Sequence, residues 1–149
     1  MSKSNKVAPL KVILVEHDPD PERALEKSIA SARVPSVVER ASGLRELIAR
    51  LSGEGPFANR QDYPLPSLIL IDLKLSDGSA LDLLTWLAKH SLKPRIPVVI
   101  LTSSRERLDL ARARKLGLHS SLVKPVQAEE LSLVLEAVQL YWKSPRSKA

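Results

Sequence analysis

The sequence contains no cysteine, which excludes disulfides and thiolate metal centres. Aromatic residues are scarce, with two Trp, two Tyr and one Phe, too few for a platform that stacks single-stranded nucleic acid. No apolar run approaches the roughly 18 residues of a membrane span. The opening stretch MSKSNKVAPLK lacks the apolar centre of a secretory signal. These absences lead us to expect a cytoplasmic protein with no membrane partner. Long blocks of one charge are missing too. The formal net charge is +6, but the basic residues are scattered, apart from small clusters at 105–115 and 143–148. A solvated basic surface is the simpler reading, and no DNA partner is expected.

What is present is the pattern of one globular domain. The chain has 149 residues, 44% of them hydrophobic, enough for a sizeable core. We expect a folded domain over 10–142 between tails at 1–9 and 143–149. Short apolar runs recur: LKVILV (10–15), SLILI (67–71), VVIL (98–101) and SLV (121–123), with a weaker one, SVVERA, at 36–41. Continuous Val/Ile/Leu runs suit strands covered on both faces.

Helical patterns separate the strands. Residues 21–33 place Ala24, Leu25, Ser28, Ile29 and Ala32 on one stripe. Ser42 is positioned to cap a helix that faces Leu44, Leu47, Ile48 and Leu51 inward. Residues 79–90 put Leu83, Leu84 and Leu87 on a core face. Over 105–116 the stripe is weak (Leu108, Ala111, Arg112, Lys115), and the helix rests on propensity with Gly117 as its stop. Residues 128–142 carry Leu131, Val134, Leu135 and Val138 at clean helical spacing. Strand–helix alternation repeated five times predicts an α/β fold with a parallel sheet and helices on both faces. Residues 52–66, SGEGPFANRQDYPLP, form a long polar connection outside that scheme.

Ligands of open parallel sheets bind beyond the carboxyl ends of the strands. Glu16, His17 and Asp18 follow the first run, and Asp72 follows the third. Thr102, Ser103 and Ser104 follow the fourth, and Lys124 and Pro125 the fifth. Each alone is an ordinary turn or cap residue. Together they place acids, hydroxyls and an ammonium at one rim. Clustered carboxylates attract a hard cation such as Mg²⁺. A cation, an ammonium and a hydroxyl can hold phosphoryl oxygens, and an Asp can itself accept the phosphoryl group.

The segments VILVEHD (12–18), LILIDLKLSDGSALDLL (68–84), VVILTSS (98–104) and SLVKPV (121–126) resemble a response-regulator receiver domain of two-component signalling. The long connection and LYW (140–142) resemble more narrowly the single-domain regulators associated with phytochrome-type histidine kinases. The resemblance implies a flavodoxin-like (βα)5 doubly wound sheet with strand order 2-1-3-4-5. It implies that Asp72 accepts a phosphoryl group from a histidine kinase, with self-catalysed phosphorylation and dephosphorylation as the only chemistry. Glu16, Asp72 and the Lys74 backbone carbonyl would hold Mg²⁺, with His17 or Asp18 as further ligands. Thr102, Ser103 and Lys124 would bind the phosphoryl group. The Lys124–Pro125 peptide would be cis.

Three positions depart from that pattern. His17 stands where a second metal-binding acid is usual. Mg²⁺ binding could survive weakened, the site could be degenerate, or the imidazole could recruit a softer metal. An ordinary strand-end histidine, satisfied by a carbonyl or by Asp18, is a fourth reading. Ser121 replaces a frequent aromatic switch residue. Ala80 replaces a frequent glycine, which requires a negative φ there. The alternative function is therefore a degenerate receiver that serves as an interaction or dimerisation module. Output is expected through protein contacts, since no DNA-binding module follows. The fourth helix, fifth strand and last helix carry Arg105, Arg107, Arg112, Arg114 and Lys115 and end in Tyr141 and Trp142. Those two aromatics either cap the domain's own core or join an interface, and the narrower resemblance implies a homodimer through this face.

Overall fold

Each apolar run becomes a strand. The computed structural model describes residues 8–16, 19–90, 92, 94–103, 107–115 and 120–143, excluding the side chains of 19–23 and 107–110. In chain order the elements are β1 (Leu10–Val15), α1 (Pro19–Ala30), β2 (Ser36–Ala41), α2 (Leu44–Ser52) and β3 (Leu68–Asp72). Then follow β4 (Lys74–Leu75), β5 (Gly78–Ser79), α3 (Ala80–His90), β6 (Val98–Thr102), α4 (Arg107–Lys115), β7 (Ser120–Val123) and α5 (Ala128–Lys143). The five long strands form one sheet in the order β2-β1-β3-β6-β7, all parallel. This is the doubly wound 2-1-3-4-5 arrangement once the short pair β4–β5 is set aside. Among the described residues, no helix is long and apolar enough to cross a membrane.

The strands are continuously apolar because both faces of the sheet are covered. Ile13, Val15, Ile69, Ile71, Val98 and Ile100 pack with Leu47 and Leu51 of α2 and Leu83 and Leu84 of α3. Their neighbours Val12, Leu14, Leu68, Leu70, Val99 and Leu101 pack with Leu25 and Ile29 of α1 and Leu131, Leu135 and Val138 of α5. Each such side chain contributes about 1.5–3 kcal/mol on full burial. The strand ends are thereby held rigidly, and they carry the candidate site.

Several local expectations are corrected. Ala24 is exposed on α1, and Ala111, Arg112 and Lys115 are exposed on α4; Ala113 is the buried residue there. Among the described side chains of α4, one small residue meets the core and Arg112, Arg114 and Lys115 turn to water. Gly117 lies outside the described residues. Tyr141 donates its hydroxyl to the Arg95 carbonyl (2.7 Å) and Trp142 its indole N–H to the Ser67 carbonyl (2.8 Å). The α5 aromatics therefore bond the chain's own segments that lead into β6 and β3.

Ser42 does not cap α2. The N-cap is Gly43 in extended conformation, and the Leu44 and Arg45 amides donate to the Asp77 carboxylate at 2.9 and 3.0 Å. A charged acceptor with two oxygens satisfies two helix-end donors at once, and more strongly than a neutral hydroxyl. Ser42 instead donates its own N–H and hydroxyl to Glu46 Oε1 (3.2 and 3.0 Å). Burial pushes the Glu46 carboxyl up, but the Ser42 and Arg50 contacts outweigh it and hold the pKa below its usual value. The folded value being depressed, this contribution is present above the ordinary 4.5 and is lost as pH falls through the lower folded value. In urea melts at a series of pH values, Glu46→Gln is expected to flatten that acid limb and leave the neutral-to-alkaline profile parallel to wild type.

The 52–66 connection is tied down by two arginines. Arg50 pairs with Glu39 (2.9 Å) and Glu46 (3.0 Å) and lies over the Phe57 ring, 4.9 Å from its centroid. Arg60 donates to the Arg50 and Leu51 carbonyls (2.7 and 2.6 Å), closing the carboxyl end of α2. The connection thus packs on the α2 side of the sheet, away from β7.

Candidate functional site

Strand register brings the candidate residues to one edge. Val15 pairs with Ile71, so Glu16 comes off β1 beside Asp72 at the end of β3. Asp72 pairs with Leu101, and Thr102 pairs with Val123. The Lys124 amide continues the ladder to the Thr102 carbonyl at 2.8 Å. Glu16, Asp72 and Thr102 are each only 3% exposed, and among the described residues they are the buried polar ones in an otherwise apolar interior. The sheet has no structural need for acids there, where Leu or Val would pack.

Lys124 reaches across the rim. Its ammonium stands 2.7 Å from Asp72 Oδ1 and 3.2 Å from Glu16 Oε1. Burial pulls the Lys124 pKa down, but the hydrogen bonds and charges of Asp72 and then Glu16 outweigh it, holding it above the usual lysine value. Two carboxylates against one ammonium leave a formal negative charge in excess. Their other oxygens, Asp72 Oδ2 and Glu16 Oε2, are also buried. This all-oxygen donor set, with backbone carbonyls nearby, fits a hard divalent cation. Among the described residues, no group of three His, Cys, Asp or Glu forms a metal cluster, so two acids would need a carbonyl and water to complete coordination.

The remaining expected residues fall as follows. Ser103 is exposed at the end of β6, and Lys74 lies in β4, immediately past the site. His17, Asp18, Ser104 and Arg105 lie outside the described residues. The Lys124–Pro125 peptide is cis. Ala80 is fully buried as the first residue of α3, where alanine is at home; the positive φ of this segment falls instead on Gly78 (φ 154°). The sequence reading missed the hairpin β4–β5, which pairs Lys74 with Ser79 and Leu75 with Gly78. The signal was the Asp77-Gly78 dipeptide between short extended segments. Asp77, at the hairpin tip, was missed with it.

The chain is similar in sequence and fold to known proteins. Residues 12–136 match the family model described as response regulator receiver domain. The chain is 24% identical to the response regulator Rcp1 of Synechocystis over 139 residues, 93% of each chain. It is 30% identical over 118 residues to the phosphate regulon transcriptional regulatory protein PhoB of Escherichia coli, covering 72% of this chain and 52% of PhoB. The chain spans about half the length of PhoB and of a probable methanogenesis regulator of Methanothrix harundinacea that it also matches. In three dimensions it resembles the phosphorylated cyanobacterial phytochrome response regulator RcpA, with TM-score 0.75, 28% identity, and 92% and 96% of the two chains covered. The bacteriophytochrome response regulator AtBRR superposes with TM-score 0.71 at 27% identity, over 91% and 96% of the chains.

Proposed function

This chain belongs to the response-regulator receiver family of two-component systems, and from that premise we propose that Asp72 accepts a phosphoryl group from a phosphohistidine of a histidine kinase. The observation that carries the reading is the Lys124 ammonium held by buried Asp72 and Glu16 at 2.7 and 3.2 Å. An Asp72 oxygen attacks phosphorus, the phosphorus–nitrogen bond breaks, and the neutralised imidazole leaves, giving an acyl phosphate. Lys124 then follows the charge from the carboxylate to a phosphoryl oxygen. Thr102 donates its hydroxyl to the same group, and Ser103 stands beside it. Glu16, Asp72 and the Lys74 carbonyl would hold Mg²⁺, which when bound screens the charge of the incoming phosphoryl group. The names of RcpA and AtBRR favour a phytochrome-type kinase as donor.

The test is incubation of the chain with a small phosphodonor and Mg²⁺, read by intact mass. Gain of a phosphoryl group supports the proposal. No gain at any Mg²⁺ concentration favours the second reading, a degenerate interaction module, for which His17 is the motivating residue. His17→Asp is expected to tighten Mg²⁺ binding at least about tenfold, by replacing an imidazole with a hard oxygen donor. Equal affinities in calorimetry would show that position 17 lies outside the metal's reach.

Output runs through the face of α4, β7 and α5. Val123 (48% exposed), Leu133 (66%) and Leu140 (67%) are exposed on β7 and α5; α4 carries the exposed cations Arg112, Arg114 and Lys115, and α5 the exposed acids Glu129, Glu130 and Glu136. Exposed apolar residues together with charges of both signs on neighbouring elements suit a symmetric homodimer. Sedimentation at micromolar concentration is expected to show a dimer that Leu133→Glu converts to monomer; a monomeric wild type removes this part.

A further inference from the structure

The hairpin that leaves the phosphoacceptor is clamped to a helix on the far side of the molecule from β7. Its root is Leu73, whose amide donates to the Leu101 carbonyl (2.8 Å) and whose carbonyl accepts from Ala80 (3.0 Å). Its tip is Asp77, whose carboxylate takes the Leu44 and Arg45 amides of α2 at 2.9 and 3.0 Å. These residues lie 33 and 32 positions apart in the chain, so the contact is tertiary rather than a local cap. Closeness is built in from both sides. A Cβ at Gly43 would stand 2.7 Å from Asp77 Oδ1, and one at Gly78 would stand 2.5 Å from Leu44 Cδ2. Gly43 has φ −178°, a conformation open to any residue. Its glycine character therefore reflects the space the Asp77 carboxylate occupies. The α2 N-terminus also presents the positive end of its dipole to that carboxylate.

We propose that Asp77 is a positioning residue for the Asp72 site: by clamping the hairpin tip to the first turn of α2, it fixes the segment carrying the Lys74 carbonyl and couples occupancy of the site to the order of α2. This deepens the receiver reading and rests on it. The hairpin spans only Leu73–Ser79, so Lys74 cannot shift toward a cation while the tip stays indifferent. Coupling of this kind is reciprocal. If Mg²⁺ tightens the clamp, the clamp tightens Mg²⁺ by the same factor. Arg50 of α2, and the Phe57 and Tyr63 rings of the connection that it covers, then feel the site through α2. On β7, by contrast, position 121 offers a small exposed serine.

The experiment measures amide exchange of the full chain with and without Mg²⁺, alongside calorimetric Mg²⁺ affinity. In the wild type, Mg²⁺ is expected to slow exchange at Leu44 and Arg45 about fivefold. Asp77→Ala should lose that response and bind Mg²⁺ more weakly by the same factor. Gly43→Ala should do likewise by displacing an intact Asp77, and adding it to Asp77→Ala should change nothing further. Retained protection at Leu70 and Ile100 shows that each variant is folded. Should Mg²⁺ bind the wild type without changing Leu44 and Arg45 exchange, or bind both variants as tightly as wild type, the clamp has no positioning role. A wild type that takes up no Mg²⁺ at all removes the metal-assisted phosphoacceptor reading first, and this inference with it.

Discussion

Asparagine at position 72 is expected to reduce phosphoryl uptake from stoichiometric to undetectable while the protein remains folded. The amide oxygen is a poor nucleophile, and no other described carboxylate combines burial at a strand end with an ammonium at 2.7 Å. The replacement is nearly isosteric, and it removes one of two acids that share a buried site. Relief of like-charge repulsion offsets the lost pairing with Lys124, so stability should change by no more than about 1 kcal/mol. Intact mass after exposure to a small phosphodonor, with urea melts in parallel, measures both. A variant that still gains the phosphoryl group places the acceptor elsewhere.

Lys124→Met should act in the opposite sense, damaging the fold through the site. It leaves the Glu16 and Asp72 side chains, 0% and 5% exposed, without the ammonium that lies between them. Removing one partner of a buried ion pair costs about 3–5 kcal/mol. Because the Lys124 side chain is 19% exposed, the lower part of that range, about 3 kcal/mol, is expected in metal-free buffer. Millimolar Mg²⁺ should restore much of it, since a divalent cation supplies the missing charge and meets no competing ammonium. In the wild type the raised Lys124 pKa contributes stability that is fully present below the ordinary 10.5 and is lost as pH rises through the higher folded value. The methionine variant should lack that alkaline limb. A thermal scan of both proteins, with and without Mg²⁺ and across pH, decides. Loss below about 1 kcal/mol that ignores Mg²⁺ would mean that the acids are satisfied without Lys124.

The sheet was legible because its signal is redundant. Val12–Val15, Leu68–Ile71 and Val98–Leu101 must be apolar at every position when helices cover both faces, the mark of a parallel α/β sheet. The rim was legible for the same reason: a buried Glu16, Asp72 or Thr102 stands out directly after such a run. Two things stayed hidden. The α2 cap was assigned to Ser42 because sequence spacing shows only neighbours, whereas Asp77 arrives from another part of the chain. The face of α4 was misread because a run so rich in Arg, Lys and Ala has only a weak amphipathic pattern to read. Tyr141 and Trp142 looked equally suited to a core or to an interface. Only their hydrogen bonds to Arg95 and Ser67 separate the two.

The central claim is that the strand-end pocket directs a phosphoryl group to one carboxylate. Its most direct test treats the chain with a phosphodonor, reduces the acyl phosphate with borohydride, and locates the resulting homoserine by peptide mass spectrometry. The account predicts homoserine at position 72 alone. Reduction products at Asp77 or Asp82, or a phosphoryl group on no aspartate, would contradict it.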